Sequence, residues 1–262
     1  MKYTAAFIGA GNMGGALAAA VYKAAPDIAV CEQNPSRVAA LRETMPSLAV
    51  ADAQSASAES RFLFLGVKPD VVRAVAASVA DALSPGTVVV TMAAGVPLAD
   101  ISAAARTERV IRIMPNTPAA VGAGMILYCT GAGVTEADEA QFLSLMRFAG
   151  VIDKIPEGKI DAAAALSGCG PAFVYIFAEA LADGAVRCGL PRDKALLYAE
   201  QTIAGSAAML LESGKHPGEL KDAVCSPGGT TIEGVLAMER AGFRAAAADA
   251  VIAAYEKTAK LK

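Results

Sequence analysis

Residues 3–15 read YTAAFIGAGNMGG. A short apolar stretch with strand character runs straight into Gly9, Gly11 and Gly14, a G-x-G-x-x-G spacing, and a helical pattern rich in alanine follows over 12–23. Each glycine of that spacing has its own physical reason. The first permits a tight turn, the second lets backbone approach a pyrophosphate, and the third lets helix and strand pack closely. The unpaired N–H groups and the positive dipole end of the helix then face a phosphate. Strand, glycine turn and helix together predict a dinucleotide-binding βαβ unit, with Gly9, Gly11, Asn12, Met13 and Gly14 at the cofactor.

Working outward, the alternation continues. Strands are predicted over 28–32, 61–67, 87–92 and 110–114, with helices from Pro35 to about residue 43 and after Pro69. Proline in the first helical turn is a start signal. Two further strands, 125–129 and 151–155, flank a helix over 136–148 and are expected at the sheet edge. This pattern means a mostly parallel sheet of Rossmann type. Strand signals stop near Pro156. From Ile160 onward the chain reads as successive helices, broken at 167–171, 189–191, 214–218, 226–229 and 241–242. The expected domains are 1–156, the dinucleotide-binding domain, and 157–262, an all-helical domain for substrate binding and dimerisation.

Composition narrows the class. The chain has 262 residues, is 55% hydrophobic and lacks tryptophan, so a large core is easily built. Its net charge of −3, with no basic run, argues against a nucleic-acid partner. Five cysteines at wide spacing and a single histidine offer no metal site, and the thiols read as reduced and cytoplasmic. Glycines interrupt the apolar N-terminus, so it is not a signal peptide. The apolar stretch 171–189 carries Glu179, Asp183 and Arg187, which fits an interface helix better than a membrane span. Helices this apolar cannot hide every face in about 105 residues, so a homodimer or larger homo-oligomer is expected through this domain.

In open α/β sheets, ligands bind beyond the C-terminal ends of the strands. Those positions are Val67, Lys68 and Pro69, then Ala93 and Ala94, then Asn116; Lys68 reads as a support for ribose or phosphates. At the end of the second strand Glu32 would hold a ribose 2′-hydroxyl, whereas Asn34, Ser36 and Arg37 would favour a 2′-phosphate. These residues conflict; the balance leans to NADP(H), with NAD(H) possible.

The segment 226–231, Ser-Pro-Gly-Gly-Thr-Thr, lies at a helix entrance expected near Ile232. The two glycines and the two threonine hydroxyls there make a cradle of exposed N–H donors for an anion such as a carboxylate. Alcohol dehydrogenases often use a histidine acid–base, but His216 precedes Pro217 and reads as a cap or surface residue. A protonated cyclic imine needs no strong enzyme acid, so holding its carboxylate and orienting its ring is most of the task.

Taken together, FIGAGNMG at 7–14, GVKP at 66–69, AAGV at 93–96, MPNTP at 114–118, SGCGPA at 167–172 and HPGELKDAVCSPGGTTIE at 216–233 resemble the Δ1-pyrroline-5-carboxylate reductase family. The resemblance covers nearly the whole chain, and its last motif is the most specific. It implies NAD(P)H reduction of pyrroline-5-carboxylate to L-proline, the last step of proline biosynthesis. It also implies a Rossmann domain followed by a helical dimerisation domain that helps form the partner's site. Carried over by position, Thr231 would hydrogen-bond the ring nitrogen as the catalytic residue. Thr230 and Gly229 would hold the carboxylate through backbone N–H groups, Ser226 and Gly228 would shape the loop, and Glu157 would lie near the substrate. Ala53, Glu32 and Cys169 depart from residues common in the family. Two other readings compete. A β-hydroxyacid dehydrogenase needs a lysine on the helix after SGCG, and 171–187 has none. A dinucleotide sensor would have no use for the 226–231 loop.

Overall fold

In the computed structural model, which describes residues 1–259, the chain forms two compact units. One holds residues 1–169 together with C-terminal residues from 254 onward, and the other holds 170–253. The first unit follows the order β1 (Tyr3–Ile8), α1 (Asn12–Ala24), β2 (Ile28–Cys31), α2 (Pro35–Thr44), β3 (Ala49–Val50), α3 (Ala53–Glu59), β4 (Ser60–Leu65), α4 (Pro69–Val79), β5 (Val88–Thr91), α5 (Leu98–Ala105), β6 (Val110–Met114), β7 (Gly124–Thr130), α6 (Glu136–Met146), β8 (Gly150–Lys154) and α7 (Glu157–Ser167). The strands form one sheet in the order β3-β2-β1-β4-β5-β6-β7-β8.

From β3 to β6 every pairing is parallel; β7 runs antiparallel to β6, and β8 is parallel to β7. Phe62, Leu63, Phe64 and Leu65 are fully buried, as expected for a strand covered on both faces. One face carries Leu17 and Val21 of α1 and Phe142 and Met146 of α6. The other carries Val72 and Ala76 of α4, Ile101 of α5 and Ile160 of α7. The rings of Phe7 and Phe64, on neighbouring strands, stack at 4.4 Å.

The mostly parallel Rossmann-type sheet expected from the alternation is present. Three short elements, β3, α3 and α5, add to those expected; β3 has two residues and α3 has no apolar stripe, so neither is marked in the sequence. β7 is also not an edge strand, because β8 lies outside it. The expected boundary at 156/157 falls before α7, whereas the compact sheet unit continues through α7 to Cys169. The reason is burial: Ile160 and Ala165 are covered, and Asp161 pairs with an arginine of β6. Of the expected second domain, residues 260–262 lie outside the described residues.

The second unit is built from α8 (Gly170–Arg187), α9 (Arg192–Ser213), α10 (Pro217–Ala223), α11 (Thr230–Arg240) and most of α12 (Phe243–Ala259). The stretch Glu157–Arg187 has membrane-like mean hydropathy, but a turn at 168–169 separates it into α7 and α8. Among the described residues, the buried core of the second unit is small: Ala182 of α8 against Ala195 and Ala199 of α9. Tyr175, Ile176 and Leu211 remain largely exposed. An apolar groove of about 640 Å³ runs past Phe173, Phe177, Leu181, Met238 and Phe243.

Candidate active site

The C-terminal ends of β2, β1, β4, β5 and β6 form one edge of the sheet, because these parallel strands are neighbours in that order. Gly9 follows β1 with φ +89°, a conformation that L side chains rarely adopt. A Cβ on Gly14 would stand 2.3 Å from the Gly9 carbonyl oxygen, and one on Gly66 would stand 2.4 Å from the same atom. Backbone therefore rests on backbone at three points. Gly11 differs: the nearest atom to a Cβ there is Nη1 of Arg37, at 3.5 Å. No side chain caps the N-terminus of α1. Its first-turn donors have no intrahelical partner, and the approach over Gly11 is open, so this edge fits a pyrophosphate. Met13, half-buried, packs against the core beneath it.

The turn between β2 and α2 is held by polar contacts. Glu32 Oε1 accepts the backbone N–H of Asn34 at 2.9 Å. Asn34 is the N-cap of α2, and its Oδ1 accepts from the amides of Ser36 (3.0 Å) and Arg37 (3.4 Å). Arg37 Nη2 reaches Asn12 Oδ1 at 3.4 Å, so a guanidinium lies beside the first turn of α1. Val67, Lys68 and Pro69 follow β4; Lys68 is exposed at the N-cap position of α4, where its side chain makes no cap bond. Ala93 follows β5, with its amide 3.4 Å from Thr91 Oγ1, and Ala94 beside it is exposed.

Two of the expected site residues have side chains that the protein itself engages. Asn116 follows β6 at the cofactor edge, but its carboxamide is engaged by the protein. Oδ1 accepts the Met125 amide at 2.8 Å, and Nδ2 donates to the Ser167 carbonyl at 3.0 Å. It ties the start of β7 to the end of α7. Glu157, expected near substrate, instead caps and pairs. Its Oε1 accepts the Leu98 amide at 2.6 Å and lies 3.1 Å from Nη1 of Arg112 on β6. Arg112 is 3% exposed and also pairs with Asp161 at 3.0 Å. The cavity of about 610 Å³ beside Glu157 is lined by residues 129–132, and Gly131 N donates to Val110 O at the start of β6. Because β7 is antiparallel, this cavity lies toward the opposite edge of the sheet from Gly9. Sequence reading passed over Arg112 and Asp161, although a lone arginine within the apolar strand Val-Ile-Arg-Ile-Met signals a buried pair. It also left Gly66 out of the cradle, although the residue stands at the end of the strand beside Gly9.

The loop 226–231 lies in the second unit. α11 begins at Thr230, two residues before the expected position, with Gly229 as its N-cap and no side-chain cap. Gly228 has φ +67°. Gly229 N donates to the Ser226 carbonyl at 3.0 Å, closing the turn. That engagement removes Gly229 from the expected pair of carboxylate donors. The open donors fall at Thr230 and Thr231, in the first helical turn, and both residues are exposed. A Cβ on Gly229 would stand 2.4 Å from Ser226 Oγ, so the serine fills the space that glycine leaves. His216 caps α10, with Nδ1 accepting from Gly218 N at 3.1 Å. Lys221 pairs with the adjacent Asp222, which raises the lysine pKa.

Burial, with the nearby Asp52 carboxylate, pushes the Cys31 thiol up to about 11. Burial likewise pushes Cys129 up to about 11, so neither offers a thiolate near neutral pH. Among the described residues no three His, Cys, Asp or Glu side chains gather to hold a metal.

Comparison with known proteins covers both halves of the chain. Residues 157–261 match the family model described as pyrroline-5-carboxylate reductase dimerisation, and residues 4–95 match that of coenzyme F420-dependent NADP oxidoreductases. The chain is 42% identical over 266 residues to a pyrroline-5-carboxylate reductase of Escherichia coli, covering 100% of this chain and 99% of that one. It is 41% identical to the enzyme of that name from Pisum sativum, with 99% and 96% covered. A crystal structure of Plasmodium falciparum pyrroline carboxylate reductase with NADP bound matches at TM-score 0.87 and 30% identity, covering 98% of each chain.

Proposed function

The chain belongs to the pyrroline-5-carboxylate reductase family and is an NAD(P)H-dependent reductase of proline biosynthesis, and from that premise we propose how its residues divide the work. The nicotinamide supplies a hydride to the C=N carbon of pyrroline-5-carboxylate, giving L-proline. Gly9, Gly11, Asn12, Met13 and Gly14 hold the pyrophosphate side, with Val67, Lys68, Pro69, Ala93 and Ala94 along the same edge. NADP(H) is the preferred cofactor, because the Arg37 guanidinium stands beside the α1 N-terminus, where a 2′-phosphate would need a counter-charge, and the exposed Ser36 on the same turn offers a further donor. Asn34 contributes by holding that turn.

Thr230 and Thr231 hold the substrate carboxylate through their amides, and Ser226 and Gly228 keep the turn that exposes them. Thr231 Oγ1 takes the N–H of the protonated ring and so orients the C=N bond. The observation that carries this reading is the uncapped, exposed start of α11 after a closed Ser-Pro-Gly-Gly turn. No general acid is required, consistent with the single histidine being used as a cap. The protein works in the cytoplasm as a homodimer or larger homo-oligomer, with the exposed apolar face of the helical unit as the surface to be covered and the partner's helical unit completing the site.

Thr231→Ala tests the assignment. Catalytic efficiency with pyrroline-5-carboxylate should fall about tenfold or more, roughly 1.4 kcal/mol of transition-state stabilisation, with NADPH binding unchanged. Unchanged efficiency would remove Thr231 from the mechanism.

A further inference from the structure

An acid at the end of the second strand ordinarily holds the ribose 2′-hydroxyl of NAD and repels a 2′-phosphate. Glu32 stands there, next to residues that favour the phosphate. Its side chain, however, is engaged within the protein. The Oε1 atom is turned onto its own loop, where it accepts the Asn34 amide at 2.9 Å. Asn34 Oδ1 in turn accepts from Ser36 and Arg37, and Arg37 reaches Asn12. One chain of contacts therefore runs from the end of β2, through the first turn of α2, to the first turn of α1. α2 buries none of its residues, so packing alone does little to fix this turn.

We infer that Glu32 is a positioning residue that holds the 34–37 turn in the shape a 2′-phosphate requires, and is not the ribose ligand. The inference rests on the NADP(H) preference proposed above. It makes the acid a support for the phosphate site, the reverse of its usual meaning. The carboxylate charge is drawn onto an amide N–H, and the Arg37 guanidinium supplies the opposite charge on the cofactor side.

Glu32→Gln and Glu32→Ala separate the roles, because both remove the charge and only glutamine keeps an acceptor for the Asn34 amide. Two measurements apply: titration calorimetry with NADPH, NADH and adenosine 2′,5′-bisphosphate, and amide exchange of residues 34–38 in the cofactor-free protein. E32A should bind NADPH and the bisphosphate about fivefold more weakly than E32Q, the scale of one lost hydrogen bond. NADH should be nearly unaffected. Exchange at 34–38 should quicken in E32A and stay near wild type in E32Q. Equal binding and equal exchange in the two variants would overturn the inference, as would loss of NADH affinity together with a gain for NADPH, the signature of a ribose ligand. Wild-type protein that binds NADH as tightly as NADPH would sink the cofactor preference instead, and the exchange difference between the variants would still decide the role of Glu32.

Discussion

Asp138→Asn should destabilise the protein strongly while leaving catalysis intact. Asp138 lies in the first turn of α6 with its side chain 1% exposed, and it receives Arg61 and Arg109, each 24% exposed. Arg109 Nη2 lies 2.7 Å from both carboxylate oxygens. The Thr135 amide donates to Oδ2 at 2.9 Å, and Thr135 Oγ1 accepts the Asp138 amide, completing a capping box. Asparagine would turn a donor toward two guanidinium groups. Breaking a buried ion pair from one side costs about 3–5 kcal/mol. The arginines can regain some water here, so the lower figure, about 3 kcal/mol, is the better expectation. At roughly 2–4 °C per kcal/mol, the melting temperature should drop by about 6–12 °C.

Circular dichroism melts at fixed protein concentration measure this, since assembly makes the midpoint depend on concentration. Acidity supplies a second check. Burial raises the Asp138 pKa, but the Thr135 hydrogen bonds and the two arginine charges outweigh it and hold the carboxyl below its ordinary value. A depressed folded pKa gives stability that is present above the unfolded value, about 4, and is lost as pH falls through the folded one. The gap between wild type and D138N should therefore narrow in acid. A variant melting within about 1 °C of wild type at pH 7, or a gap indifferent to pH, would refute the reasoning. Activity at 25 °C should persist, because Arg61 lies at the start of β4 and Arg109 precedes β6, away from the cofactor edge.

Two further substitutions test the site. Gly14→Ala would drive a methyl to 2.3 Å from the Gly9 carbonyl oxygen, so calorimetry should find NADPH binding lost or weakened by at least about tenfold, and retained affinity would mean the cradle is not where the cofactor sits. Glu157→Gln keeps an acceptor for Leu98 N and weakens the pairing with Arg112; stability should fall by about 1 kcal/mol with the substrate KM within twofold, whereas a large rise in KM at unchanged stability would return Glu157 to the substrate site.

What could be read from sequence follows a physical line. The strands and the glycine turn were legible because burial on both faces and the close approach of backbone leave local marks, such as the Phe-Leu-Phe-Leu run and the glycine spacing. α3 was not, since Ala-Gln-Ser-Ala-Ser-Ala-Glu has no apolar stripe. The reversal at β7 leaves no local mark either. The contacts of Glu157 and Asn116 were not legible for another reason: Arg112 lies 45 residues from Glu157, and Ser167 lies 51 from Asn116. Only the fold brings these partners together. The cap at 226–229 was legible as a donor cradle from its glycines, but which amide the turn itself engages depends on its backbone angles, which the residue types alone do not fix.

The contact among Gly9, Gly14 and Gly66 bears on how this protein can change over generations. Two stretches of chain, the β1–α1 turn and the end of β4, meet backbone to backbone here, so none of the three positions can gain a side chain unless backbone moves elsewhere. That part of the cofactor edge is closed to gradual substitution. The β2–α2 turn a few residues away is the reverse: Asn34, Ser36 and Arg37 are exposed, and side chains there can change without forcing backbone apart. Lineages carrying this scaffold should therefore drift between cofactors through that turn alone, while the pyrophosphate cradle stays the same.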